Sequence, residues 1–340
     1  MGLLEFGTAP AAEARVRPAR REHRAQARRL AGRDLGNDLS NFHLLKYAGR
    51  VDGYFVTAKN SGTHWLRFML SAAIAHRLNL PAPSRSSGRD SETFICHPKR
   101  PQVFSHAPRI GASHNIPSRL VAALARAGLV RLPPTVVLVR DIPEALVSYY
   151  VKWREPYGLG ELSAFVRRPA PGAKKVEDVW WFVRFFNRWG GLARACKDQI
   201  LVVRYEDVQN DPAGWVRRIW SHWGVELDAA DAAAALDVSS REALAERLDP
   251  GYGEPIVPDR ALRAAVRLSA ADEAVLEEVF SSHLLFRLGY EHRPVRRRRS
   301  VWGARGPRPA RTGWRLLWGM VFFAAALGVV GRLQVWRALG

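Results

Sequence analysis

Cysteine is almost missing from this chain: Cys96 and Cys196 are the only two among 340 residues. So small a complement excludes a disulfide framework and fits a reducing compartment. Cys96 stands beside His97, but no second pair at ligand spacing follows, and no metal site is expected. Lysine is nearly as scarce, with 7 against 45 arginines, so a lysine inside a polar turn stands out. No GxxxxGK[ST] loop is present, which excludes the common triphosphate cradle. The first 40 residues contain no apolar stretch of signal-peptide length, and export by that route is not expected.

Acidic charge is short at the two ends. The formal net charge is +20, of which residues 1–34 carry +4 and residues 293–340 carry +11, leaving +5 for everything between. The basicity is therefore a property of the tails. It points to an acidic surface or a flexible partner, and away from a nucleic-acid site on the folded part. With 47% hydrophobic and 25% charged residues, the remainder has the balance of one globular domain.

The stretch YFVTAKNSGTHWLRFML at 54–70 organises the rest. Residues 54–58 predict a strand, 59–62 a polar turn with a glycine, and 65–75 a helix with apolar residues at helical spacing. A loop feeding a helix N-terminus offers unpaired N–H groups and the positive end of the helix dipole, which suit phosphate or sulfate. Ser61 and Thr63 add hydroxyls there, and Lys59 adds a charge. An ordinary strand-to-helix turn capped by Ser61 or Thr63 fits the loop alone equally well.

Downstream, the Pro/Ser/Arg-rich stretch 81–101 reads as a long binding loop or lid. A short strand is expected at 102–105, a helix at 117–128, a buried strand at 135–139, and a helix from Pro143 through 153. A long helix at 176–196 bears an aromatic stripe from Trp180 to Trp189 that reads mainly as core. A strand at 200–204, the turn Tyr205-Glu206-Asp207, and a helix at 212–223 follow, with helices continuing to 286. Strands alternating with helices predict an α/β fold, a parallel sheet flanked by helices in three layers, with ligands bound beyond the strand C-terminal ends. Four groups then fall just after a predicted strand: Lys59 to Thr63 with Trp65, His106, Arg140 with Ser148, and Tyr205.

At this point the sequence resembles the sulfotransferases that use 3′-phosphoadenosine 5′-phosphosulfate. Their P-K-S-G-T-T-W, T-H-L-P, R-N-P-x-D-x-x-x-S and Y-E-D segments are matched in order by K-N-S-G-T-H-W at 59–65, S-H-A-P at 105–108, R-D-I-P-E-A-L-V-S at 140–148 and Y-E-D at 205–207. The resemblance implies a P-loop-like domain and that donor as co-substrate. It also implies that Ser61, Gly62 and Thr63 hold the phosphosulfate and that Trp65 stacks on adenine, with Tyr205 at its border. Arg140 and Ser148 would take the 3′-phosphate, and His106 would be the general base. Asp207 would orient the following loop. Two departures are plain. Asn60 occupies the place of the family's catalytic lysine, so Lys59 would have to swing in, with Asn60 donating a hydrogen bond. The family's C-terminal R-K-G clamp is absent, leaving Arg241 or Arg260 to replace it. His64, where the family has threonine, either faces the phosphates or caps the helix. A kinase-like phosphotransferase and a non-catalytic relative that kept the fold are the alternatives.

The domain organisation expected is a basic arm at 1–40, a sulfotransferase-like domain at 41–292, a basic linker at 293–313 and an apolar tail at 314–337. Residues 316–331 are uncharged, shorter than the ~20 residues of a spanning helix, and flanked by Trp314, Arg315, Arg332 and Trp336. The tail is expected to span or lie on a membrane, with the domain on the cytoplasmic face. That placement favours a lipid, glycan or small-molecule acceptor without naming one.

Overall fold

The computed structural model describes residues 35–38, 41–167, 177–238, 240–251 and 260–291. Most of the basic arm, the linker and the apolar tail lie outside the described residues, as do the side chains of Arg241 and Arg260.

Five parallel strands form one sheet in the order β2-β3-β1-β4-β5, with β1 at Gly53–Thr57, β2 at Ile95–Cys96, β3 at Ile110–Ser113, β4 at Thr135–Val139 and β5 at Ile200–Arg204. The central strands β1 and β4 are buried at every position. The pleat explains why both can be apolar throughout: Tyr54, Val56, Val137 and Val139 enter one core, while Phe55, Val136 and Leu138 enter the other. Helices must cover both faces, and they do. The first core is closed by α1 (His43–Tyr47), α3 (Arg119–Arg126), α4 (Ile142–Trp153), α5 (Leu162–Arg167), α6 (Val179–Ala195) and α12 (Ala270–His283). The second is closed by α2 (Thr63–Arg77), α8 (Pro212–His222) and α9 (Ala229–Asp237). Short helices also occur at α7 (Tyr205–Asn210), α10 (Arg241–Glu246) and α11 (Arg260–Ala265).

The aromatic stripe of α6 is core: Phe182, Phe185, Phe186 and Trp189 are fully buried, and Trp189 donates its indole N–H to the Asn115 carbonyl at 2.9 Å. Asp178 caps this helix by accepting from the Trp181 N–H, which explains a start three residues later than the apolar pattern suggests.

One expected element is corrected. Residues 102–105 form no strand; Val103 is 61% exposed, and the chain there turns between Pro101 and Pro108. The strands of this region are β2 and β3. β3 reads Ile-Gly-Ala-Ser, poor in β-branched residues, and its composition conceals it. A Cβ on Gly111 would sit 3.0–3.3 Å from Pro98, Val51 and Tyr54, so close packing requires the residue that weakens the strand signal.

Candidate active site

The chain leaves β1, builds the sheet outward to β2, returns through β3, and then crosses to β4 on the other side of β1. The C-terminal end of β1 is therefore the point where the strand order reverses, and such a point leaves a crevice. Three strand ends open onto it: the 58–62 loop after β1, His114 after β3 and Arg140 after β4.

The loop is shaped by its backbone. Asn60 has φ 54° and Gly62 φ 84°, two left-handed residues that fold the turn back over the strand. Asparagine tolerates that region better than lysine, which suits Asn60 to the turn where the family pattern has lysine. Gly62 is doubly constrained, because a Cβ there would lie 2.5 Å from the Tyr205 ring. It is also the N-cap of α2, and no side chain caps that end. The hydroxyls expected to face a ligand are used within the protein: buried Ser61 donates to the Ala58 carbonyl at 2.6 Å, and Thr63 donates to Thr57 Oγ1 at 2.8 Å. What the loop offers an anion is thus its backbone N–H groups and the helix dipole.

Arg140 ties two of the strand ends together. It donates to the Asn60 carbonyl at 3.3 Å, stacks over Tyr205 with its guanidinium carbon 4.7 Å from the ring centroid, and approaches Glu144 at 3.5 Å. Its Nε is buried without a hydrogen-bond partner, an orphaned donor that a bound oxyanion would satisfy. Arg263 of α11 meets the same Glu144 carboxylate, so this acid gathers two guanidinium groups at one edge of the crevice. Tyr205 also contacts Trp65 edge-on at 5.6 Å and accepts from Gln209 at 3.0 Å. Ser148 is partly buried on α4, beyond the turn that carries Arg140. Asp207 holds Arg204 through two hydrogen bonds at 2.7 and 2.5 Å, and Tyr290 donates to Glu206 at 2.6 Å, so Tyr205-Glu206-Asp207, expected as a turn and found as the start of α7, is held from both sides. His64 is not a cap; Arg67 donates to its Nδ1 at 3.1 Å and is itself held by Glu92 at 3.2 Å and Ser91 at 3.0 Å.

His106 is not part of this site. It is exposed beside Phe104 and lies four residues ahead of Ile110, where β3 begins, at the opposite end of the strand from the crevice. The histidine that follows β3 is His114. Its Nδ1 lies 2.8 Å from the Thr57 carbonyl and 2.9 Å from Thr57 Oγ1. A carbonyl only accepts, so Nδ1 carries the proton and the neutral ring keeps its lone pair on Nε2. Desolvation, then the charge of Lys59, pushes its pKa down to about 3, despite the opposing bond to Thr57. The motif alone pointed elsewhere: Ser105-His106-Ala107-Pro108 matches the Ser/Thr-His-x-Pro spacing, whereas Ser113-His114 and Pro117 are one residue too far apart, and the signal for His114 is only its place directly after β3.

Lys59 reaches Glu177 at 3.6 Å, and its charge is felt at both His114 and His64. His97, considered with Cys96 as half of a metal site, instead faces His43, Nε2 to Nε2 at 3.3 Å, while Tyr54 bonds His43 Nδ1 at 2.7 Å. Among the described residues no group of three or more His, Cys, Asp or Glu stands together as a metal site.

These half-buried histidines make the fold acid-sensitive. Burial, then His97, lowers His43 to about 4; burial, then Lys59, lowers His114 to about 3; and burial, then Arg67, lowers His64. Each favours folding fully above the unfolded value of about 6.5 and loses that contribution as the pH falls towards its folded value. Asp141, raised to about 6 by burial, then Glu206, works in the opposite sense and offsets part of the loss. The melting temperature is expected to fall by about 5–10 °C between about pH 7 and about pH 5, as read by circular dichroism, and His43→Gln should flatten the slope. A flat profile over that range would contradict the burial of these rings.

The family profile described as "Sulfotransferase domain" matches residues 52–246, more than half of the chain. No curated protein sequence matches. Among solved structures, a retinol dehydratase in complex with androsterone and the inactive cofactor PAP shares 16% identity at a TM-score of 0.48, covering 72% of this chain and 85% of that one. A mouse sulfotransferase complexed with PAP shares 12% at 0.41, covering 72% and 90%. A sulfotransferase from Alicyclobacillus acidocaldarius shares 13% at 0.37, covering 69% and 92%. With its matched segment running from the start of the central strand, through the crevice, to the helices beyond β5, this chain belongs to the sulfotransferase domain family.

Proposed function

We propose that the crevice at the end of β1 binds 3′-phosphoadenosine 5′-phosphosulfate and directs its sulfuryl group to an acceptor hydroxyl. The observation that carries this reading is the meeting of an uncapped helix N-terminus, an orphaned arginine donor and a histidine of fixed tautomer at one strand-order reversal. The donor supplies an activated sulfuryl group; the chain supplies the rest. Backbone N–H groups of Ser61, Gly62 and Thr63 would hold the phosphosulfate. Trp65 and Tyr205 would border the adenine. Arg140, with Ser148 and with Arg263 as replacement clamp, would hold the 3′-phosphate. His114 takes the place first assigned to His106: Thr57 presents its Nε2 as the acceptor of the hydroxyl proton, and an anionic ligand nearby would raise its depressed pKa towards working range. Lys59 would supply the positive charge that the family places one residue later, at the position of Asn60.

Residues 41–292 would constitute the catalytic domain, with 1–40 and 293–313 as basic flanks. Residues 314–337 would associate with a membrane, leaving the domain on its cytoplasmic face and bringing lipid-linked acceptors within reach.

Calorimetric titration with adenosine 3′,5′-bisphosphate, against ATP with Mg²⁺, tests the donor site. The bisphosphate should bind, ATP should bind more weakly, and Arg140→Ala should weaken the bisphosphate by about 30–100-fold, as for loss of a charge-assisted contact. A preference for ATP, or an unchanged affinity in the variant, would overturn the assignment in favour of a phosphotransferase or of a different pocket.

A further inference from the structure

Glu177 is a carboxylate at an anion site, and such a placement needs a reason. Its Oε1 lies 3.6 Å from Lys59 Nζ, with the two side chains 15% and 34% exposed. It also meets the hydroxyl of Tyr149 on α4, a residue only 2% exposed and stacked on Phe165 at 6.0 Å with ring planes 5° apart. Burial, then the neighbouring carboxylate, pushes the Tyr149 phenol well above its ordinary range, so it stays a donor. Glu177 is therefore anchored from the core side and presents its charge to the loop side. Lys59 follows directly on β1 and Ala58, one residue before the left-handed Asn60, and among the described residues Glu177 is the only ion-pair partner that selects a direction for its long stem.

Resting on the donor-site reading above, we propose that Glu177 is the positioning residue for Lys59. Held by Tyr149, its carboxylate draws the displaced ammonium across the mouth of the 59–63 loop. The ammonium has three donors, so one bond to Glu177 leaves two for the transferring group. The same carboxylate repels an anionic ligand, so its charge also limits donor affinity.

The test measures two quantities on the full-length protein: affinity for adenosine 3′,5′-bisphosphate by calorimetry, and slow sulfuryl transfer to water, followed as bisphosphate release from the phosphosulfate donor. Glu177→Gln should tighten bisphosphate binding by about 3- to 10-fold and slow transfer by about 10-fold. Tyr149→Phe, which keeps the ring packing, should move both quantities in the same directions and by less. In a Lys59→Ala background, Glu177→Gln should no longer change the transfer rate, because its effect passes through that lysine. A purely structural residue would weaken binding on substitution. Weaker or unchanged binding in Glu177→Gln, or an equal loss of rate with and without Lys59, would overturn the proposal. Failure of the wild-type protein to bind the bisphosphate would instead bring down the donor-site reading itself.

Discussion

Replacing His114 by alanine is expected to lower turnover by about 10²–10⁴-fold, the range of a lost general base, while leaving bisphosphate affinity within about threefold. Turnover is measured as bisphosphate release in the presence of a phenol. The expectation follows from the hydrogen bond at 2.8 Å to the Thr57 carbonyl, which commits Nδ1 as donor and leaves Nε2 to accept. His114→Asn is the sharper variant. Its amide can still donate to Thr57, so the local structure is retained, but it has no basic nitrogen. It should be as inactive as the alanine variant and more stable. His106→Ala, exposed and at the far end of β3, should retain full turnover. If His106→Ala lost activity and His114→Asn kept it, the proposed exchange of the two histidines would be wrong. The acidic limb of turnover should also lie well above pH 3, because the bound anion stabilises the imidazolium that burial, then Lys59, disfavours in the free protein.

Lys59→Ala should cost about 10²–10³-fold in turnover, comparable to the loss of one preorganised donor aimed at developing charge. Bisphosphate affinity should weaken less, by about 10-fold at most, since a product lacking the sulfuryl group does not use the full contact. The double variant Lys59→Ala/Asn60→Lys restores the spacing of the family pattern and asks whether the displacement matters. Position 60 has φ 54°, where lysine costs roughly 1 kcal/mol, so the variant should be slightly less stable yet recover part of the lost turnover. Retention of turnover within about threefold in Lys59→Ala would remove this lysine from the reaction.

Much of this was legible in the chain. β4 and β5 fall at the residues their apolar, β-branched runs mark, Thr135–Val139 and Ile200–Arg204, because a strand covered on both faces needs no alternation that a turn or cap could blur. The loop at 59–62 was legible because glycine, asparagine and the polar run have a local mechanical meaning. Arg140 and Tyr205 could be named for the same reason: each ends or follows a strand whose own composition declares it. β3 was not legible. Its Gly111 answers to Pro98, Val51 and Tyr54, residues 13, 60 and 57 positions away by subtraction of their numbers, and no local pattern encodes that contact. With β3 concealed in this way, the sequence pattern points to His106, which precedes the strand, and not to His114, which follows it.

By itself, then, the sequence determined the α/β class, the central strand–loop–helix and the family, since these rest on local periodicity and on motifs read in order. Tertiary structure alone decided which histidine faces the loop, that the hydroxyls of Ser61 and Thr63 are used internally, and that Glu177 stands opposite Lys59. Those outcomes depend on the register between strands far apart in the chain, and on which side chain reaches a shared partner first. Both are set by close packing of the whole sheet, and spacing along one segment does not contain them.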